Sequence, residues 1–205
     1  MKISTALFAS VVAICCLSCS IKTDDTTNTD DASLRLIDTF NDTKKAAEQG
    51  DAGAQFSLGL WYALGTVKGV PKNHVEAAKW YRKAAEQGHA EAQIFLGLMY
   101  MKKKNIGVPK DHTEAAKWFR KAAEQGKPYA QYLLGRKYER GSGVPQDSVE
   151  AYMWFDLSAS NGHRTAKKAR SRISLEMSKE QIAEAQAWSR VFSEWIEDFE
   201  KRNKE

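Results

Sequence analysis

A short string, A-A-E-Q-G, occurs three times in this chain of 205 residues, and its copies begin at the evenly spaced positions Ala46, Ala84 and Ala122. A degenerate fourth copy, at 158–162, follows slightly sooner because the preceding loop is shorter. A sequence that repeats with such a period is typical of a stacked array, in which each unit covers the apolar face of its neighbour. The repeat therefore predicts an array of similar units rather than a globule around one central core.

Each repeat contains two helical patterns, which we call helix A and helix B. Helix A has Ala, Leu and Tyr at i, i+4 and i+8: Ala54, Leu58 and Tyr62, then Ala92, Leu96 and Tyr100, then Ala130, Leu134 and Tyr138. Helix B follows a Gly-Val-Pro loop and has apolar residues at i, i+3, i+4 and i+7: Ala77, Trp80, Tyr81 and Ala84, then Ala115, Trp118, Phe119 and Ala122, then Ala151, Trp154, Phe155 and Ser158. Both spacings place the apolar residues on one face of a helix.

The ends of helix B carry recognisable start and stop signals. An Asp or Asn precedes each copy and is suited to cap its first turn; these residues are Asn73, Asp111 and Asp147. A glutamate three positions later is predicted to return a hydrogen bond to the N–H of the cap; these residues are Glu76, Glu114 and Glu150. A glycine after each helix B suits the left-handed conformation that ends a helix. Three further glycines interrupt helix A at 59, 97 and 135, which predicts a closely packed neighbour at each place.

The arrangement A-x-x-x-L-G-x-x-Y, a Gly-Val-Pro loop, Asp or Asn, and A-A-K-W-Y/F-x-K-A-A-E-Q-G resembles the Sel-1-like repeat, a relative of the tetratricopeptide helical hairpin. The resemblance covers residues 46 to about 163. It implies an all-α fold, a right-handed α/α solenoid of helical hairpins. We place the repeats at about 52–87, 90–125 and 128–161. Capping helices are predicted at 32–49, 164–175 and 179–202, and Ser178 with Gln181 opens the last one as a reciprocal cap.

The segment 1–19 is predicted to be an export signal. Lys2 is the only charge before an apolar run, 6–19, that is too short to span a membrane. The residues around Cys19 resemble a bacterial lipobox, which predicts lipidation of Cys19; ordinary cleavage between small residues at 18–20 is the alternative. The segment 20–31 is predicted to be a flexible tether to the solenoid at 32–205. We therefore expect a lipoprotein on the periplasmic face of the bacterial cell envelope, attached to the outer membrane.

Candidate chemistry is sparse in this sequence. All three cysteines, Cys15, Cys16 and Cys19, lie within the predicted export signal, and the four histidines lack the spacing of metal ligands. No G-x-S-x-G, H-E-x-x-H or S-x-x-K motif occurs. We therefore predict no catalytic residue, no metal and no cofactor. A net charge of +5, with acidic residues interspersed among the basic ones, does not predict a nucleic-acid partner.

A binding surface is predicted on helix A, where some positions differ between repeats. If packing determines the shared positions, the variable ones are free to recognise a partner, and aromatic, Met and Arg side chains are enriched in binding hot spots. The candidates are Trp61, Phe95, Met99, Tyr129, Leu133, Arg136 and Arg140. The alternative is that some of these residues, Phe95 and Leu133 among them, fill the space between repeats.

Three functions follow from the resemblance. The first is a non-catalytic adaptor that binds a protein or peptide and is attached to the membrane through a lipid anchor. The second is an immunity protein that neutralises a toxin acting in the periplasm. The third is an enzyme that binds or hydrolyses β-lactams, because cysteine-rich relatives have been associated with β-lactam binding or hydrolysis. We disfavour this third function because the chain lacks the helix-pairing cysteines of those relatives. The sequence leaves the partner and the oligomeric state open.

Overall fold

The computed structural model describes residues 28–67, 69–102 and 108–202. Within these ranges the chain forms α-helices and one short 3-10 turn, Ser174–Glu176, without any β-strand. The helices are α1 (Asn28–Glu48), α2 (Ala52–Leu64), α3 (His74–Glu86), α4 (Ala90–Met101), α5 (His112–Glu124), α6 (Pro128–Arg140), α7 (Ser148–Ser160), α8 (Arg164–Ile173) and α9 (Lys179–Arg202). The predicted all-α repeat solenoid is confirmed.

The helices pack in chain order. Helices α2, α4 and α6 are the three copies of helix A, and each packs against the helix B that follows it, α3, α5 or α7. Helix α1 covers the first repeat through α2, while α8 and α9 both pack on α7. Because each helix contacts mainly its neighbours along the chain, the buried apolar residues form a large elongated cluster from α3 to α9 and a smaller one at α1 and α2, rather than one central core.

The N-terminal predictions fall mostly outside the described residues. The export signal, Cys19 and the tether up to residue 27 belong to that part of the chain. Helix α1 begins at Asn28, so the last part of the predicted tether, 28–31, is helical. None of the helices in the described ranges is both long and apolar enough to cross a membrane.

The glycines inside helix A mark the closest helix contacts, as predicted. A Cβ atom built on Gly59 would lie 2.7 Å from the ring of Tyr81, and one on Gly97 would lie 2.6 Å from the ring of Phe119. Gly135 has the same relation to Phe155, at 2.7 Å. Each glycine therefore lets an aromatic side chain of helix B lie directly against the backbone of helix A.

The caps of helix B are confirmed, whereas the glutamate half of the predicted motif is wrong. Asp111 Oδ1 accepts hydrogen bonds from the N–H groups of Thr113 and Glu114, at 2.8 and 3.0 Å. The N–H of Asp111 itself donates to the carbonyl of Tyr100, at the end of α4, over 3.0 Å. That carbonyl satisfies the cap, so Glu114 forms an ion pair with Lys117 instead. The other two copies have the same N–H contact, Asn73 to Tyr62 and Asp147 to Tyr138.

The last helix begins with the predicted reciprocal cap. The N–H of Ser178 donates to Gln181 Oε1 over 2.9 Å, and the N–H of Gln181 donates to Ser178 Oγ over 3.2 Å. Further along α9, Phe192 packs edge-on against Trp154 of α7, with ring centroids 4.9 Å apart. This contact shields the apolar side of the third repeat, as a terminal capping helix must.

Candidate functional site

An open groove of about 500 Å³ lies between α2 and α4, the first two copies of helix A. We call it the α2–α4 groove. Its described lining residues are Leu60, Ala63, Leu64, Lys72, His74, Tyr81, Phe95, Leu98, Met99, Met101 and Lys102. The apolar members come from α2 and α4, and the others come from the loop before α3, from α3 and from the end of α4. The groove therefore combines apolar walls with polar groups at defined places.

The end of α2 brings basic residues to the groove. Gly65 caps this helix in a left-handed conformation with φ 66°, and its N–H bonds back to the carbonyl of Trp61. A Cβ atom on Gly65 would lie 2.9 Å from Cβ of Lys72, so only glycine allows the returning loop to come this close. Lys72 and His74 consequently stand at the groove although both come after the end of α2.

The floor of the groove contains an unusual hydroxyl. Tyr81 is only 1% exposed, and its ring lies 5.8 Å from that of Phe56 and 5.4 Å from that of Phe95. Its hydroxyl has no hydrogen-bond partner among the described residues. Burial raises the pKa of Tyr81, so the hydroxyl keeps its proton and remains a donor. The equivalent residues of the other repeats are Phe119 and Phe155, so this donor occurs in the first repeat alone.

The basic groups give the groove a positive electrostatic character. Burial, together with the charges of Lys72 and Lys102, holds the pKa of His74 below its ordinary value. None of the described lining residues is acidic. A ligand with negative charge therefore suits this groove better than a cationic one.

Two of the predicted binding residues line the groove. Phe95 is 37% exposed, whereas Met99, also a lining residue, is buried. Trp61, from the same helix face, packs against Phe40 of α1, with ring centroids 5.4 Å apart. Helix α1 thus packs against Trp61, which the repeat pattern predicts to be available to a partner.

The remaining predicted residues, all on α6, lie outside the groove lining. Tyr129 is exposed near His163, with ring centroids 6.0 Å apart, and Leu133 is half-buried against the core. Arg136 pairs with Glu139, Nε to Oε2 at 3.0 Å. Arg140 is exposed at the end of the helix. The seven predicted residues therefore do not converge on one site.

Sequence reasoning missed Lys72, His74 and Tyr81 as groove residues. Tyr81 belongs to helix B, where the pattern predicts core packing, and the other two belong to a loop and a helix start. One signal was present in the sequence, since Tyr81 is the only copy of its position that carries a hydroxyl. That the Tyr81 hydroxyl has no hydrogen-bond partner among the described residues follows only from the packing of α4 over α3.

The fold and the groove define an α-helical repeat protein with an open groove between consecutive units. A sequence profile described as the Sel1 repeat matches three adjoining segments, 52–89, 90–127 and 128–163. The chain therefore belongs to the Sel1 repeat family. Proteins of this family generally mediate protein–protein interactions.

Solved structures similar to this chain include other proteins of the same kind. A Sel1 repeat protein from Oxalobacter formigenes is 42% identical, with 65% of this chain and 98% of that chain covered and a TM-score of 0.59. A protective antigen of uropathogenic Escherichia coli strains, described as displaying an SLR fold, is 31% identical over 79% of this chain and 43% of that one, with a TM-score of 0.47. The cysteine rich protein B of Helicobacter pylori is 24% identical over 63% and 96%, with a TM-score of 0.48. No curated protein matches the chain.

Proposed function

We propose that this protein is a non-catalytic adaptor of the bacterial cell envelope that binds a partner protein through the α2–α4 groove. The observation that carries the proposal is the groove itself, an opening of about 500 Å³ walled by apolar side chains of two consecutive repeats. Its volume falls within the roughly 300–1,000 Å³ range of ligand-binding clefts. The walls come from positions that differ between repeats, so they are not required by the packing that all repeats share.

The walls of the groove are suited to a side chain from another protein. Phe95 and Leu64 are exposed, and Leu98 is half-buried. Exposed apolar surface that is framed by polar groups is typical of a protein-binding site. Lys72 and Lys102 supply such a polar frame at the groove.

Attachment to the membrane is the second part of the proposal. Cys19 in its lipobox-like context would carry the lipid, and the segment 20–27 would link it to α1. An anchored adaptor in the periplasm would hold its partner close to the membrane. A diacylglycerol on Cys19 would supply two acyl chains, and two chains are sufficient for stable membrane attachment.

In-cell photocrosslinking tests the binding site. A photoreactive phenylalanine analogue at Phe95, which is 37% exposed, should form a crosslinked product with a partner protein in living cells. The matched control carries the same analogue at Trp188, which is 55% exposed on α9 and outside the groove lining. A product at Phe95 that is absent at Trp188 supports the proposal. Equal products at both positions, or none at Phe95, contradict it.

Metabolic labelling tests the anchor separately. Labelled palmitate should enter the wild-type protein and disappear in Cys19→Ser. Cys15→Ser, in the same segment but outside the lipobox-like positions 16–19, is the matched control and should keep the label. Labelling that survives in Cys19→Ser would rule out this anchor without touching the adaptor role.

A further inference from the structure

The α2–α4 groove makes three separate chemical demands on whatever occupies it. Its walls are apolar, the lining residue Tyr81 has a buried hydroxyl without a partner among the described residues, and basic residues line the groove. The walls alone would accept any apolar side chain. The hydroxyl and the charges narrow the choice, because each favours a different group on the ligand.

The hydroxyl of Tyr81 favours a ligand with a hydrogen-bond acceptor. A buried polar group without a partner is unfavourable, and a ligand that supplies the partner recovers that free energy on binding. The repeats at α5 and α7 place Phe119 and Phe155 at this position, both fully buried. The aromatic ring therefore satisfies the packing requirement, and the hydroxyl is an addition that packing does not need.

The basic residues favour a ligand with negative charge. Lys72 and Lys102 are exposed in the lining, and neither side-chain ammonium group forms a hydrogen bond or an ion pair with another residue of the described ranges. On α6, by contrast, Arg136 is already paired with Glu139. The two lysines of the groove are therefore available to a carboxylate from outside.

We propose that the α2–α4 groove binds an acidic peptide segment with one bulky apolar side chain. The apolar side chain lies between α2 and α4, and flanking Asp or Glu side chains lie beside Lys72 and Lys102. A peptide carbonyl accepts the hydrogen bond of Tyr81 once the side chains that enclose this hydroxyl move aside. This inference rests on the proposed adaptor function and adds the chemistry of the partner. Apolar anchoring supplies affinity, while the hydrogen bond and the charges select the sequence.

Selection from a peptide library tests the inference. A phage-displayed library of random dodecapeptides is selected on the purified protein and the enriched sequences are read out. We expect Leu, Phe or Trp flanked by Asp or Glu. A representative enriched peptide, labelled with a rhodamine dye whose charge is constant between about pH 5.5 and 7.5, is then used for anisotropy titrations. Its affinity should fall as salt is raised because the charged contacts are screened.

Two variants test whether the groove is the binding site, and a third variant is the control. Tyr81→Phe keeps the ring and should weaken binding about fivefold while thermal unfolding is unchanged or shifted upward. Lys72→Gln combined with Lys102→Gln should weaken binding about tenfold. The matched control is Lys110→Gln, since Lys110 occupies the place of Lys72 in the next repeat and is outside the groove lining; its affinity should equal that of the wild type.

The outcomes separate this inference from the function on which it rests. Enriched peptides that are apolar but neutral or basic, with binding reduced by Tyr81→Phe, would preserve the groove as a binding site and overturn its preference for acidic segments. Acidic peptides whose binding is insensitive to all three groove substitutions would also overturn the inference. No enrichment on the wild-type protein would count against the adaptor function as well.

Discussion

The side-chain amide of Gln87, next to the end of α3, donates from Nε2 to Oε1 of Gln55 on α2 over 2.8 Å. Gln55 is itself buried and donates from Nε2 to the carbonyl of Ala47 on α1 over 3.1 Å. The same contact recurs one repeat later, where Gln125 donates to Gln93 over 2.9 Å. Gln55 and Gln93 thus each link the preceding helix to the residue that follows helix B of their own repeat.

The third repeat lacks this contact, and the reason is one methylene group. Asn161 occupies the place of Gln87 and Gln125, and its amide donates to the carbonyl of Leu157 over 3.1 Å. Gln131, the third buried glutamine, consequently has no donor for its Oε1 atom among the described residues. A buried acceptor without a partner lowers the stability of the folded state.

Asn161→Gln should therefore stabilise the protein. The longer side chain would bring a donor to Gln131 Oε1, and we expect the free energy of unfolding to rise by about 1 kcal/mol. The mirror-image variant, Gln125→Asn, should lower it by about 1 kcal/mol because Gln93 then loses its donor. Urea denaturation measures both. Opposite signs for the two variants are expected, and a loss of stability in Asn161→Gln would contradict the interpretation.

Gly97→Ala should destabilise the protein despite the better helix propensity of alanine. The propensity gain is about 1 kcal/mol, but the new Cβ atom would lie 2.6 Å from the buried ring of Phe119. Forcing that contact costs about 1–3 kcal/mol, so the net loss lies between about 0 and 2 kcal/mol, and we expect about 1 kcal/mol. The test is denaturant unfolding of Gly97→Ala alone and combined with Phe119→Leu. The second substitution should cost less in the Gly97→Ala background than in the wild type; simple additivity would exclude a steric cause.

The caps of helix B predict unequal effects for two neighbouring acids. Asp111→Ala should cost about 1 kcal/mol because two first-turn N–H groups lose their acceptor. Glu114→Ala should cost less than about 0.5 kcal/mol, since Glu114 makes only a surface ion pair with Lys117. Urea unfolding of both variants measures the difference. An equal loss would indicate that Glu114 takes part in the cap after all.

Binding of an acidic peptide to the groove should strengthen as the pH falls. Burial, Lys72 and Lys102 hold the pKa of His74 below its ordinary value, so the imidazole is neutral in the free protein at pH 7. A bound carboxylate would raise the pKa of His74, and the complex would take up a proton. The affinity then increases as the pH drops through the pKa of the complex and levels off below the pKa of the free protein.

Anisotropy titrations between about pH 7.5 and 5.5 measure this dependence, in a range where Asp and Glu of the peptide stay ionised. His74→Gln should bind the peptide with an affinity that is constant over the same range. A pH dependence that persists in His74→Gln would assign the proton to another group.

The helix ends and close contacts could be predicted from the sequence because they depend on chemistry within one or two repeats. Asp111 caps a helix wherever an Asp precedes a helical pattern, and Gly97 marks a close contact because glycine is otherwise unfavourable inside a helix. The partner of the Asp111 N–H was predicted wrongly. It bonds to Tyr100, in the preceding helix, and only the path of the loop brings that carbonyl near.

The candidate site was predictable in part. Phe95 and Met99 line the groove because helix-A positions that vary between repeats face the space between units. Trp61 varies in the same way, yet Phe40 packs against it, because the helix before the first repeat covers that end of the array. The sequence repeat predicts how one unit packs on the next. It does not predict how a capping helix packs on the first unit.

By itself, the sequence determined the hairpins, their number and their order, because the signals that specify them act between residues close in the chain and recur once in every unit. Only the tertiary structure decided where those hairpins leave an opening. When α4 packs beside α2 over α3, the Tyr81 hydroxyl is buried without a hydrogen-bond partner among the described residues, and Lys72 and Lys102 come to line the same groove. Such relations depend on distances between side chains that lie far apart in the chain, which a repeating pattern does not encode.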